Sequence, residues 1–245
     1  MDTDKTQVAA APTGEIEMVW QFFDRRKDGF FVEVGANDPK ISSQTWFLEE
    51  QGWRGVLVEP QARLAEKLRQ VRTRSAVFQV ACAAPGHPKQ MPLHIAEYPS
   101  QSSLVKHLVG PGTKYVQTEM VELLTLDEVL ERAGNPRIDF LSIDVEGTQL
   151  DVLRGFSLQR HRPALLFIED HLLNLKVHRW ITRQGYRLVK RTGSNNWYVP
   201  RGRPFTLTTP LERLRLWKKV WANTPFRKLR LHLARKRAQR KAPSK

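Results

Sequence analysis

Five short apolar runs recur through the middle of the chain, separated by stretches of helical pattern; three of the five close on an acidic residue, and a fourth carries one as its next-to-last residue. They are Phe30-Phe31-Val32-Glu33-Val34, Gly55-Val56-Leu57-Val58, Ala76-Val77-Phe78-Gln79-Val80, Asp139-Phe140-Leu141-Ser142-Ile143 and Ala164-Leu165-Leu166-Phe167-Ile168. Runs this short and this continuously apolar suit strands buried on both faces. Alternation with helices predicts an α/β domain in which crossover connections join parallel strands.

The intervening segments fit that plan. Ser43 to Gln51 reads as a helix stopping at Gly52, and Ala62 to Val71 as a second. Thr125 is an N-cap type, and the acids just after it suit the positive end of a helix dipole. Further helices are predicted over Thr148 to Leu153 and over Leu172 to Arg183, the latter ending before Gly185. Tyr186 to Lys190 and Asn196 to Val199 read as a closing antiparallel pair around Gly193-Ser194. Ala84 to Met120 breaks the rhythm with prolines and glycines, so an added hairpin and a loop near the site are expected there. No internal repeat is visible.

In an open parallel sheet, ligands bind beyond the carboxyl ends of the strands. Here those places hold Glu33, Glu59, Asp144 with Glu146, and Glu169 with Asp170. Buried carboxylates are costly unless partnered, so several converging on one crevice imply hydroxyls, amines or a cation. The loop after the first run, Gly35-Ala36-Asn37-Asp38, has a single glycine where a dinucleotide site needs three. Glu59 has the position to accept hydrogen bonds from both hydroxyls of a ribose, a feature shared by nicotinamide and sulfonium nucleotides. The glycine count favours the second.

Phe31 to Asp38, Glu59-Pro60, Ser102-Ser103-Leu104, Thr125-Leu126-Asp127, Asp139 to Gly147 and Ile168-Glu169 together resemble the FkbM family of methyltransferases. The similarity runs from about residue 28 to 200, and Ile143-Asp144-Val145-Glu146-Gly147 is its most specific part. The resemblance implies a class I, Rossmann-like methyltransferase: a doubly wound, mostly parallel seven-stranded sheet with a C-terminal antiparallel strand. It also implies S-adenosylmethionine as cofactor and O-methylation, often of sugars, glycoconjugates or polyketide-type hydroxyls. Carried over by position, Glu33, Gly35 and Asn37 surround the methionine moiety, Glu59 holds the ribose, and Asp144 faces the sulfonium and acceptor.

A hydroxyl acceptor must lose its proton, and Asp144, Glu169 and His171 are the candidate bases. The alternative is a divalent cation such as magnesium on Asp144, Glu169 and Asp170. Blander roles stand beside these: Glu146 as a helix cap or an arginine partner, His171 as the first turn of a helix, and Cys82 as a small buried residue near the adenine.

The net charge of +15 points at first to nucleic acid, but it is unevenly spread. Residues 201–245 hold 15 Lys and Arg against one acid, Glu212, which leaves 25 cations and 24 acids before them, a net of +1. A neutral body argues against an RNA methyltransferase, and nucleic acid is not expected as a partner. Division into an N-terminal extension (1–27), a catalytic domain (28–203) and a basic tail (204–245) follows. In the tail, Leu211, Leu214, Trp217 and Trp221 recur at helical spacing among Arg213, Arg215, Lys218 and Lys219; Phe226, Leu229, Leu231 and Leu233 continue beyond Pro225. Tryptophan among cations on an amphipathic helix suits an anionic membrane surface, with self-packing and RNA contact as the competing roles.

A single cysteine, no hydrophobic signal segment at the N-terminus and no apolar run near 18 residues predict a cytoplasmic protein, peripheral at the membrane if attached at all. The functional expectation is an O-methyltransferase acting on a hydroxyl of a sugar, glycolipid or polysaccharide precursor. Its rivals are an RNA methyltransferase and a non-catalytic adapter working through the basic tail.

Overall fold

The computed structural model describes residues 14–106, 112–172, 175–222, 226 and 229. A seven-stranded sheet forms its centre. In chain order its strands are β1 (Phe30–Val34), β2 (Arg54–Val58), β3 (Ser75–Phe78), β7 (Phe140–Ile143), β8 (Leu165–Glu169), β9 (Tyr186–Thr192) and β10 (Asn195–Pro200). Their spatial order is β3-β2-β1-β7-β8-β10-β9. The first five are mutually parallel, while β10 runs antiparallel to both β8 and β9.

Each strand sends alternate side chains to opposite layers, and both layers are apolar. Val32, Val34, Val56, Val58, Leu141, Ile143, Leu166 and Ile168 meet α4 (Leu126–Arg132), α5 (Gln149–Arg154), α6 (Leu158–His161) and α7 (Lys176–Arg183). On the other side Phe31, Leu57, Phe140, Phe167 and Trp197 meet α1 (Gly14–Phe22), α2 (Trp46–Glu50) and α3 (Ala62–Val71). The sheet is therefore doubly wound, as the apolar runs predicted. Helix α1 contributes Ile16 and Val19 to that second layer, so it is part of the domain core rather than an extension beside it.

The irregular stretch after β3 holds β4 (Ala81–Cys82), β5 (Gln90–Ala96) and β6 (Tyr115–Leu124), with β5 and β6 forming the expected hairpin. Short β4 pairs with the end of β6, which accounts for the third strand ending at Phe78 instead of Val80. Thr125 caps α4 in a full capping box with Glu128.

Two helices are shorter than their patterns predict. Helix α2 starts at Trp46, not Ser43, because Ser43, Gln44 and Thr45 turn their donors toward Glu33. Helix α7 starts at Lys176, since Leu172 and Leu175 adopt left-handed φ values of 54° and 55° that no continuous helix contains. His171 consequently sits in a loop, and its expected place in a first helical turn is corrected.

The C-terminal segment stays attached to the body past residue 203. Phe205 is buried in the second layer, and the buried Thr208 donates its hydroxyl to Val189 O at 2.9 Å. Helix α8 (Pro210–Trp217) follows behind a second capping box, Thr209 with Glu212, and continues as one π-helical turn over Lys218–Ala222. It lies along the edge strand β9, resting through Leu216 and Val220 on Leu172, Leu175 and Leu188. Leu211, Leu214 and Trp217, expected to form its apolar stripe, face outward instead. The side chain of Trp221, with Leu231 and Leu233, lies outside the described residues. Among the described residues no helix is long and apolar enough to cross a membrane.

Candidate active site

Strand order reverses between β1 and β7, and the carboxyl ends of the strands at such a reversal are where ligands bind in an open α/β sheet. A cavity in the crevice there is lined by Glu33, Gly35, Asn37, Glu59, Asp144 and Glu146, among others. Five residues expected at the cofactor, Glu33, Gly35, Asn37, Glu59 and Asp144, are thus brought to one cavity. Glu169, Asp170 and His171 do not line it.

Gly35 joins the two sides of the crevice. Its φ of +86° favours glycine, and a Cβ there would come within 1.9 Å of the Asp144 carbonyl oxygen. Only a bare backbone lets the β1 and β7 loops approach so closely. Asn37 is also left-handed, at φ 50°, and this turns its amide toward the tip of β2.

That amide donates to one Glu59 oxygen at 2.9 Å, and the Gln61 amide donates to the other, also at 2.9 Å. The Gln61 side chain adds a third hydrogen bond, so the carboxylate keeps one of its four acceptor sites open. Burial raises the Glu59 pKa to about 7 against the pull of the two backbone donors and the Gln61 side chain. Beside it, Val80, Cys82, Leu93 and Pro99 make a wall of apolar surface. The Cys82 thiol is free, and burial pushes its pKa up to about 12, so it is inert as a nucleophile.

Glu33 is held by its own fold. It accepts from the Gln44 amide at 2.9 Å, from the Ser43 hydroxyl at 3.4 Å and from the Thr45 hydroxyl. Behind these donors lies Arg72, fully buried at the end of α3, whose guanidinium reaches Glu49 at 2.9 Å, Thr45 Oγ1 at 2.7 Å, Ser43 Oγ at 3.1 Å and Pro39 O at 3.2 Å. Burial raises the Glu33 pKa while the charge of Arg72 and the three donors oppose it. Sequence reasoning missed this arginine, since Val71-Arg72-Thr73-Arg74 reads as an ordinary exposed helix end.

Asp144 has different surroundings. It is half-buried beyond the tip of β7, and its carboxyl hydrogen-bonds the Glu169 carboxyl at the tip of the neighbouring β8. Burial, that hydrogen bond, and the charges of Glu169, Glu146 and Glu33 raise its pKa to about 9. Glu146 is raised too, first by burial and then by Glu169, with the nearby His171 opposing. Ser103 closes this side by donating to the Glu146 carbonyl at 2.9 Å, which ties the inserted hairpin to the β7 loop. The expected serine pair thereby gains a structural role.

The magnesium alternative does not fit. Among the described residues no three His, Cys, Asp or Glu side chains gather as a metal site requires. One Asp170 oxygen accepts the Leu172 amide at 3.0 Å in its own turn, and its carboxyl is not part of the Asp144–Glu169 contact.

Residues 33–188, more than half of the chain, match the methyltransferase FkbM domain. The chain belongs to the FkbM methyltransferase family. Its strand order, with one reversed strand beside the last parallel one, is the class I methyltransferase arrangement. A comparison with curated protein sequences gives no match. Among solved structures, the chain is similar to TrmK of M. capricolum in complex with S-adenosyl-homocysteine, at 9% identity and TM-score 0.41 over 82% of this chain and 74% of that one. A methyltransferase from Geobacter sulfurreducens is similar at 14% identity and TM-score 0.39, over 78% and 80% of the two chains. Precorrin-6y C5,15-methyltransferase from Geobacter metallireducens is similar at 10% and 0.41, over 81% and 95%.

Proposed function

We propose that this FkbM family member is an S-adenosylmethionine-dependent O-methyltransferase acting on a hydroxyl of a sugar, glycolipid or polysaccharide precursor. The observation that carries the reading is the pairing of two unlike acidic ends in one crevice. Glu59 keeps acceptor capacity beyond its three donors beside an apolar wall, which suits a ribose hydroxyl next to a purine. Asp144 and Glu169 form a carboxyl pair, and the charges that bear on Asp144, those of Glu169, Glu146 and Glu33, are all negative, which suits a sulfonium and a hydroxyl. When bound, S-adenosylmethionine supplies an electrophilic methyl group.

The protein's own residues would then do three things. Glu59 fixes the nucleoside through its ribose. The loops after β1 and β7, locked together at Gly35, hold the sulfur end at Asp144, so that donor and acceptor are aligned in line. The acceptor hydroxyl gives its proton to the Asp144–Glu169 pair: an approaching sulfonium favours the ionised form of Asp144 and so readies it as the base. His171 is exposed and away from the cavity lining, in the neighbourhood of Glu146 and Asp170.

Calorimetry with S-adenosylhomocysteine tests the cofactor half. Micromolar binding to the full chain that is lost in Glu59→Ala supports it, and no binding to the wild type overturns it. The acceptor half is tested with methyl-labelled donor and glycan or glycolipid extracts: label released by mild acid or base, as from an ester, or retained on nitrogen would rule out an ether at a sugar hydroxyl.

A further inference from the structure

Helix α8 has two apolar faces, and the protein uses one of them. Leu216 and Val220 are seated against Leu172, Leu175 and Leu188. On the opposite side Leu211, Leu214 and Trp217 are 56%, 62% and 60% exposed, an apolar arc that a helix made only to cover an edge strand does not need. Arg215 and Lys218, both exposed, flank the same arc.

Beside the helix, a groove of about 360 Å³ is lined by α8, β9 and the end of α7, and Trp217 of the exposed arc is part of its lining. Its floor includes Val189, Phe205 and Leu216, and three arginines, Arg187, Arg201 and Arg213, line it. Each guanidinium donates to a backbone carbonyl: Arg187 to Arg203 O at 2.8 Å, Arg201 to Thr182 O at 2.9 Å and Arg213 to Phe205 O at 3.4 Å. None of the three has a carboxylate partner among the described residues. The one acid of the helix, Glu212, is already committed to Lys190 at 3.0 Å and to capping Thr209.

We infer that the outer face of α8 and the adjoining arginine-lined groove form a docking surface for an anionic lipid bilayer. Trp217, Leu214 and Leu211 enter the headgroup and upper acyl region, and Arg187, Arg201 and Arg213 take lipid phosphates. The charge is complementary and the geometry fits: an apolar arc alone suits many partners, but cations with spare N–H donors set around it suit a surface that is apolar inside and anionic at its rim. A duplex or single strand of RNA would engage the cations and leave Leu211 and Leu214 in water. This surface is independent of the methyl-transfer reading, and it would stand if that reading failed.

The test is flotation of the full chain with vesicles of phosphatidylcholine alone and of phosphatidylcholine with phosphatidylglycerol, at near-physiological salt. Binding is expected only to the anionic vesicles. The pair Leu214→Ser and Trp217→Ser, which changes no charge and touches only exposed positions, should weaken it at least tenfold. Arg201→Glu, also at an exposed position, should weaken it as well and leave S-adenosylhomocysteine binding unchanged. Far-ultraviolet circular dichroism checks that each variant is folded, and Leu211→Ser replaces any that is not. Equal binding by wild type and the Leu214/Trp217 pair would show attachment by charge alone and overturn the inference. So would failure to bind anionic vesicles, or tighter binding to single-stranded RNA that ignores the apolar substitutions.

Discussion

Two acidic ends face the same crevice, and they are finished to different degrees. At the β1 end Glu33 accepts from three donors of its own loop, with Arg72 behind them joining that loop to Glu49. At the β7 and β8 end Asp144 meets Glu169, Glu146 and Glu33, all of its own sign, and its pKa rises to about 9. One carboxylate is complete within the fold; the other becomes complete only by holding a proton or meeting a cation. The contrast teaches that an acid at a strand tip is not by itself a ligand-binding group. Glu33 shapes the wall of the site, and the unbalanced pair is where chemistry is to be sought.

The largest effect should come from breaking the complete end. Arg72→Met leaves Glu33 and Glu49 buried without their cation, at a cost of about 3–5 kcal/mol in folding stability. Urea denaturation measures it. Adding Glu33→Gln should recover part of the loss, because it removes one of the two stranded charges. If Arg72→Met instead left stability unchanged while abolishing cofactor binding, Glu33 and Arg72 would belong to the ligand and the contrast would fail.

Acting on the other end should separate rate from stability. Asp144→Asn is expected to lower the methyl-transfer rate by about 10²–10⁴, with S-adenosylhomocysteine binding kept within a few-fold. It should also make the protein more stable. The carboxyl has a folded pKa near 9 and an ordinary unfolded value near 4, so its ionisation opposes folding above pH 4. Removing it should raise the melting temperature by about 2–4 °C for each kcal/mol recovered, at pH 8 and not below about pH 4. Loss of stability at pH 8 would mean that Asp144 is held like Glu33.

How much of this was legible in the sequence follows from the range of the interactions. Strands were readable because burial on both faces writes a continuous apolar run, and adjacency of β7 and β8 puts the residues after Ile143 and Ile168 side by side. Gly35 and Glu59 were readable because their positions at strand tips are local. The shortened α2 was not, since Ser43, Gln44 and Thr45 are ordinary helix residues until Glu33 is placed beneath them. Nor was Arg72, whose partners lie on α2 and on the loop before it. The exposed arc of α8 was written in the sequence as apolar spacing, yet that spacing cannot say which of two faces the body covers; Leu216 and Val220 won because the left-handed turns at Leu172 and Leu175 present leucines to them.

Glu59 lies between the two extremes, held by two backbone amides and the Gln61 side chain, while the charge that bears on it, Glu119, is of its own sign. Glu59→Gln should weaken S-adenosylhomocysteine about tenfold or more, from the loss of hydrogen bonds to a charged acceptor worth about 1.5–3 kcal/mol. Its pKa near 7 adds a signature. Wild-type affinity should fall as the pH drops through 7, because the protonated carboxyl offers fewer acceptor sites, and the Gln variant should be flat over the same range. A flat wild type would place the ribose elsewhere.

The smallest effect distinguishes the two ends by charge alone. S-adenosylmethionine carries a sulfonium and S-adenosylhomocysteine does not, while both carry the same ribose and amine. At pH 7 Asp144 holds its proton, and a sulfonium beside it should lower its pKa and release part of that proton. Affinity for the methylated cofactor should therefore rise with pH relative to the demethylated one, by about threefold between pH 7 and 8. The Glu59 contribution cancels in this ratio, since both ligands use it. Asp144→Asn should abolish the trend and Glu33→Gln should leave it intact; a ratio that tracked Glu33 instead would move the sulfonium to the end that the fold has already completed.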